Sequence, residues 1–104
     1  PRVRAGRSTP AKAPTIDVYV LGEVDKPGKR EIEPGTTILQ FFAEMGGFSK
    51  FAATKRVQLR TSRTGTEQIY VLDYNKIQNG APFGTTIVMA DGDVVVVPQR
   101  RLFE

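Results

Sequence analysis

Apolar and polar positions alternate along Ile16-Asp17-Val18-Tyr19-Val20-Leu21 and the pattern stops at Gly22. Ile16, Val18 and Val20 point one way, and Asp17, Tyr19 and Leu21 the other. Both faces carry apolar side chains, which suits an inner strand. The strand is expected to run through Glu23-Val24-Asp25 into Lys26-Pro27-Gly28-Lys29. That tetrapeptide fits a type II turn, with Pro presetting φ at the second position and Gly accepting a positive φ at the third. Arg30-Glu31-Ile32-Glu33 returns as a short polar strand, and its single inward apolar residue, Ile32, suits an exposed edge.

The period changes after the Pro34-Gly35 turn. Ile38, Phe41, Phe42 and Met45 recur at helical spacing, with Gln40 and Glu44 outward. Thr37-Ile38-Leu39-Gln40 matches a capping box, and Gly46-Gly47 supplies the stop. A helix of about two turns is unstable alone, so its apolar face must pack on a sheet. Arg56-Val57-Gln58-Leu59-Arg60 and Glu67-Gln68-Ile69-Tyr70-Val71-Leu72 flank a polar loop around Gly65 and read as a hairpin. Asp73 is placed to cap a helical turn through Ile77, ended by Asn79-Gly80. A Pro/Gly loop over residues 81–85 and a short strand over residues 86–89 are expected next. Asp91-Gly92 then turns the chain into a buried last strand, Val94 to Val97, stopped by Pro98.

Each of these elements must bury an apolar face against another. The predicted architecture is α+β: a small β-grasp-like mixed sheet packed on one short helix, with the first and last strands side by side in the centre. Residues 16–104 form this domain, and residues 1–15 read as a basic flexible linker or tail. An α+β roll of another topology satisfies the same pattern.

Charge supports the division. The net charge is +4, and residues 1–15 hold Arg2, Arg4, Arg7 and Lys12 without an acid, while the remainder is balanced. A basic arm can touch nucleic acid or anionic lipid, but Pro, Ala, Ser and Thr dominate here and favour a solvated linker. The chain has no cysteine and no histidine. That excludes disulfides, Cys- or His-based metal sites, Ser-His and Cys-His nucleophile pairs, and thiolate-held iron–sulfur clusters, so no cofactor is expected. No apolar run approaches the roughly 20 residues that span a bilayer. Residue 1 is Pro and no apolar core follows the basic start, so the chain is expected to be a segment of a longer protein.

The candidate chemistry is sparse. Asp91 and Asp93 can bind a cation or exchange protons, but the plainer reading is a turn before a buried strand. Glu31 and Glu33 share a strand face at a spacing that suggests a glycosidase pair, yet they sit on an edge hairpin rather than across a cleft. Gly35-Thr36-Thr37 precedes a helix and can hold a phosphate, but the second Gly followed by Lys of a P-loop is missing. Phe48, Phe51 and Tyr74 with Lys50, Lys55 and Arg56 can form a sugar-stacking or subunit-contact patch. Equally, Phe48 and Phe51 can close the core behind the helix. Arg100-Arg101-Leu102-Phe103 follows the last strand and either leads onward or frays.

Taken in order, several segments resemble the soluble-ligand-binding β-grasp (SLBB) domain of bacterial polysaccharide export proteins. They are Val18-Tyr19-Val20-Leu21-Gly22-Glu23-Val24, Lys26-Pro27-Gly28, Pro34-Gly35-Thr36-Thr37-Ile38-Leu39, Gly46-Gly47-Phe48 and Asp91-Gly92-Asp93-Val94-Val95-Val96-Val97-Pro98. In this reading Gly22, Pro27, Gly28, Gly46, Gly47, Gly92 and Pro98 set shape and are not a site. The resemblance implies a non-enzymatic periplasmic module of an outer-membrane exporter of capsule or exopolysaccharide. It implies homo-oligomer assembly, weak glycan contact and an inner-membrane polysaccharide co-polymerase as partner. The alternative is a nucleic-acid-binding β-grasp module like those of DNA-uptake proteins, although no nucleic acid is expected as partner in the leading reading.

Overall fold

A computed structural model describes residues 13–80 and 86–103. Five strands and two helices follow in the order β1 (Ile16–Gly22), β2 (Gly28–Ile32), α1 (Ile38–Glu44), β3 (Val57–Thr61), β4 (Gln68–Leu72), α2 (Tyr74–Gln78) and β5 (Val94–Val97). They form one mixed sheet in the order β2-β1-β5-β3-β4. β1 and β5 run parallel, Tyr19 facing Val94 and Gly22 facing Val97, while the other neighbours are antiparallel. The strands from the two ends of the sequence are therefore adjacent, and β5 occupies the centre, as the β-grasp arrangement requires.

Burial explains that placement. Val18 and Val20 of β1, Val95 and Val97 of β5, and Val57 and Leu59 of β3 are fully buried on one face. α1 covers this face with Ile38, Phe41 and Phe42, followed by Met45. Each fully buried side chain of this kind contributes roughly 1.5–3 kcal/mol, which is what holds a seven-residue helix that would not persist alone. The capping box is complete. Thr37 Oγ1 accepts from the Gln40 amide and Gln40 Oε1 accepts from the Thr37 amide. A second helix shares the work: Asp73 caps α2 through the amides of Asn75 and Lys76, and Ile77 enters the core. The sheet is thus packed on α1 with the short α2 beside it, the small α+β arrangement expected.

Three expectations are corrected. Gly28 has the anticipated positive φ, but it is already the first residue of β2, paired with Val20. The Lys26 carbonyl accepts from the Arg30 guanidinium, and Val24 detours to bridge Phe48. The link between β1 and β2 is therefore stitched to the end of α1 instead of forming a tight type II turn. Residues 86–89 form no strand. Val88 makes an isolated bridge to Thr37, and the Ile87 carbonyl and Met89 amide bond to Ile38 and Thr36, because the segment meets the entrance of α1 and not a sheet edge. The hairpin strands begin one residue later than expected, at Val57 and Gln68. The Pro/Gly loop of residues 81–85 and most of the basic arm lie outside the described residues.

One glycine is fixed by close approach. Gly22 has φ +93°, and a Cβ there would lie 2.1 Å from the Val97 carbonyl oxygen, which accepts the Glu23 amide at 2.9 Å. Gly35 has a similar φ of +90° with nothing within 4 Å of its missing Cβ. Gly22→Ala is expected to cost about 3 kcal/mol or more, conformational strain plus overpacking, whereas Gly35→Ala costs roughly 1–2 kcal/mol of strain alone. Urea unfolding of the two variants separates the effects, and equal losses would show that the contact with Val97 is unimportant.

Candidate functional site

Residues 98–100, directly after β5, lie against residues 51–56. The Ala53 amide donates to the Pro98 carbonyl, Ala52 bridges Gln99, and the Arg100 amide donates to the Phe51 carbonyl. Arg56 adds a guanidinium bond to the Gln99 carbonyl. Neither of the two apposed segments contains an acid. Together, residues 50–56 and 98–103 carry Lys50, Lys55, Arg56, Arg100 and Arg101.

This apposition divides the aromatic candidates. Phe48 and Tyr74 meet at 4.6 Å between ring centroids, and each also meets Phe42 of α1, at 5.9 and 5.2 Å. The three rings form a half-buried cluster at the end of the core, so Phe48 and Tyr74 close the domain. Phe51 instead stands half exposed, with the Lys50 ammonium over its ring at 5.4 Å.

A depression of about 240 Å³ opens beside them, lined by Ala52, Ala53, Thr54, Lys55, Asn75 and Arg100. The Thr54 carbonyl accepts from the Tyr74 amide, which ties the start of α2 to its wall. The two alanines are buried, Thr54 and Asn75 are half-buried, and Lys55 and Arg100 are exposed. Among the described residues, none of the four polar side chains here has a hydrogen-bond or ionic partner. The sequence offered Lys55 as a candidate. Asn75 and Arg100 were missed, because they lie 21 and 46 residues beyond Thr54 and no local pattern joins them.

With this geometry in place, the family can be read. The family model of the SLBB domain matches residues 17–97. The chain belongs to the SLBB domain family. No curated protein matches it. SLBB domains are binding modules and occur in periplasmic export proteins. The matched range runs from the second residue of β1 to the last of β5, so it covers the whole sheet. Lys55 and Asn75 fall inside it, whereas Arg100 lies just beyond. Among the described residues, no helix is long and apolar enough to cross a membrane, and no group of three or more acidic, His or Cys side chains is placed to hold a metal.

The SLBB sheet leaves its second face open. Register aligns two cross-strand rows there: Leu21, Val96, Gln58 and Val71, then Lys29, Tyr19, Val94, Arg60 and Ile69. Tyr19, Leu21, Ile69 and Val71 are 40–64% exposed, and Val94 and Val96 between them are half-buried. Six of the nine positions are apolar, a density that marks an interaction surface better than scattered single residues do.

The remaining candidates have structural work in this SLBB domain. Glu31 and Glu33 are exposed on and just beyond the edge strand β2. The entrance of α1 has little to offer a phosphate: the amides of Thr37, Ile38 and Gln40 already donate to Gln40 Oε1, the Ile87 carbonyl and Thr37 Oγ1. Asp91 Oδ1 accepts from the Asp17 amide, pinning the turn before β5 to the start of β1.

Asp93 is more than a turn residue. Its side chain is 1% exposed, and Oδ2 accepts from the Ala90 amide and from Arg63 Nη2, both at 2.8 Å. Oδ1 is buried and has no partner among the described residues. Arg63 also donates from Nε to Thr61 Oγ1, so it clips the β3–β4 loop to the turn before β5. Arg63→Ala would leave a buried carboxylate short of its charged partner, at a cost of about 2 kcal/mol. In a double-mutant cycle with Asp93→Asn, a coupling of about 1 kcal/mol or more is expected from the unfolding midpoints. Additive losses would show the pair to be inert.

Proposed function

We propose that this domain is a non-enzymatic periplasmic module of a capsule or exopolysaccharide export protein. It works by assembling with copies of itself and by contacting the passing glycan. The open face of the sheet carries the reading: its two rows of mostly apolar side chains belong to a domain of a binding family, and a second copy can bury them. Non-enzymatic action is supported by the chemistry of the chain, which has no His or Cys nucleophile system and whose acidic candidates serve turns, ion pairs and a strand edge. Polysaccharide and an inner-membrane polysaccharide co-polymerase are the partners proposed with this role, and the outer membrane is reached through other parts of the full-length protein.

Sedimentation velocity of the full-length export protein tests the assembly. The wild type is expected to form a closed oligomer. Leu21→Glu places a charge on the apolar face and is expected to weaken association at least tenfold, with little change in the unfolding midpoint because the residue is already half exposed. A strictly monomeric wild type, or an oligomer indifferent to Leu21→Glu, would overturn this role for the face.

A further inference from the structure

We infer that the depression beside β5 is a site for a carboxylate-bearing sugar residue, so that the domain prefers acidic polysaccharide to neutral polysaccharide. This rests on the export reading above and adds the ligand's chemistry to it. Four side chains line it without partners among the described residues: the Lys55 ammonium, the Arg100 guanidinium, the Thr54 hydroxyl and the Asn75 amide. All four donate hydrogen bonds, two of them with charge, and Thr54 and Asn75 also accept. Their natural complement is a ligand that joins an anion to hydroxyl groups. A planar carboxylate suits the fork of Arg100, while sugar hydroxyls suit Thr54 and Asn75.

Size and surroundings narrow the ligand further. About 240 Å³ lies below the roughly 300–1,000 Å³ of pockets that enclose a drug-sized molecule, so the depression fits one residue of a chain that continues past it. Its floor of Ala52 and Ala53 gives an apolar surface for a ring's C–H face. Residues 50–56 and 98–103 contain no acid, so the two apposed segments are basic. A polynucleotide is the less suitable occupant. It calls for a basic track with successive bases stacked on aromatic rings, and of the three candidate rings Phe48 and Tyr74 are committed to the cluster with Phe42, which leaves Phe51 alone exposed.

The test is an NMR titration of the 104-residue chain with a hyaluronan hexasaccharide, with the same oligosaccharide after carboxyl reduction, and with single-stranded DNA of matched charge. The acidic sugar is expected to bind at least tenfold tighter than the reduced one and to move the amide signals of Thr54, Lys55, Asn75 and Arg100. Lys55→Gln and Arg100→Gln are each expected to weaken it about tenfold, whereas Lys29→Gln, on the other face, leaves it unchanged. Equal binding of acidic and reduced sugar overturns the acid preference but leaves the export reading in place. Tighter binding of the DNA through Lys55 and Arg100 overturns both the preference and the glycan contact. No binding of either sugar at 10 mM, on the order of the weakest contact that repetition along a chain could make useful, overturns the site, while the assembly of the full-length protein is judged separately by sedimentation.

Discussion

The parallel pairing of β1 with β5 is the contact on which the rest of the domain depends. It joins residues more than 70 positions apart and sets a strand from each end of the sequence in the middle of the sheet. Loop closure over that distance is costly before any contact rewards it. The reward is the burial of Val18, Val20, Val95 and Val97 under α1. The seam has little slack. At its end Gly22 faces Val97 so closely that no side chain fits, and Glu23 takes the Val97 carbonyl. At its start the Asp91 carboxylate and the Asp17 amide fix the register. A one-residue slip would turn the buried valines outward.

Much of this fold is legible locally. The alternation of β1 and β3, the 3.6-residue period of α1, the Thr37–Gln40 cap and the Asp73 cap are signals written within a few residues, and each leads to its element. The central position of β5 agrees with its four consecutive valines, since strands buried on both faces read as continuous apolar runs, although β4, with Ile69 to Leu72 equally apolar, lies at the edge. Residues 86–89 mislead for the same reason that these succeed. Ile87, Val88 and Met89 look like a strand, but a strand needs an edge, and the segment meets the entrance of α1 instead.

The candidate site is less legible because its parts come from distant positions. Lys55 stands in a recognisably basic stretch, but nothing near Asn75 or Arg100 announces that they will face it. The Arg63–Asp93 pair is hidden in the same way. Arg63 reads as a solvated loop residue and Asp93 as turn chemistry until the hairpin folds over the end of β5. Aromatic residues show the converse. Phe48, Phe51 and Tyr74 suggest one patch, yet Phe42 claims two of the rings for the core and leaves Phe51 at the surface.

The seam also positions both working surfaces. On the open face, β5 supplies Val94 and Val96, which extend the apolar residues of β1, and Gln58 and Arg60 of β3 stand between them and Val71 and Ile69 of β4. Beyond Pro98 the same strand's continuation carries Arg100 to the depression by bonding along residues 51–53. The two surfaces share no residue, so burying the rows against a second copy does not consume the cations. A module that repeats around an oligomer would then present one such depression per copy, and weak contacts with a single sugar residue would add along a chain that touches several. Assembly and ligand contact are in this way two consequences of one strand placement.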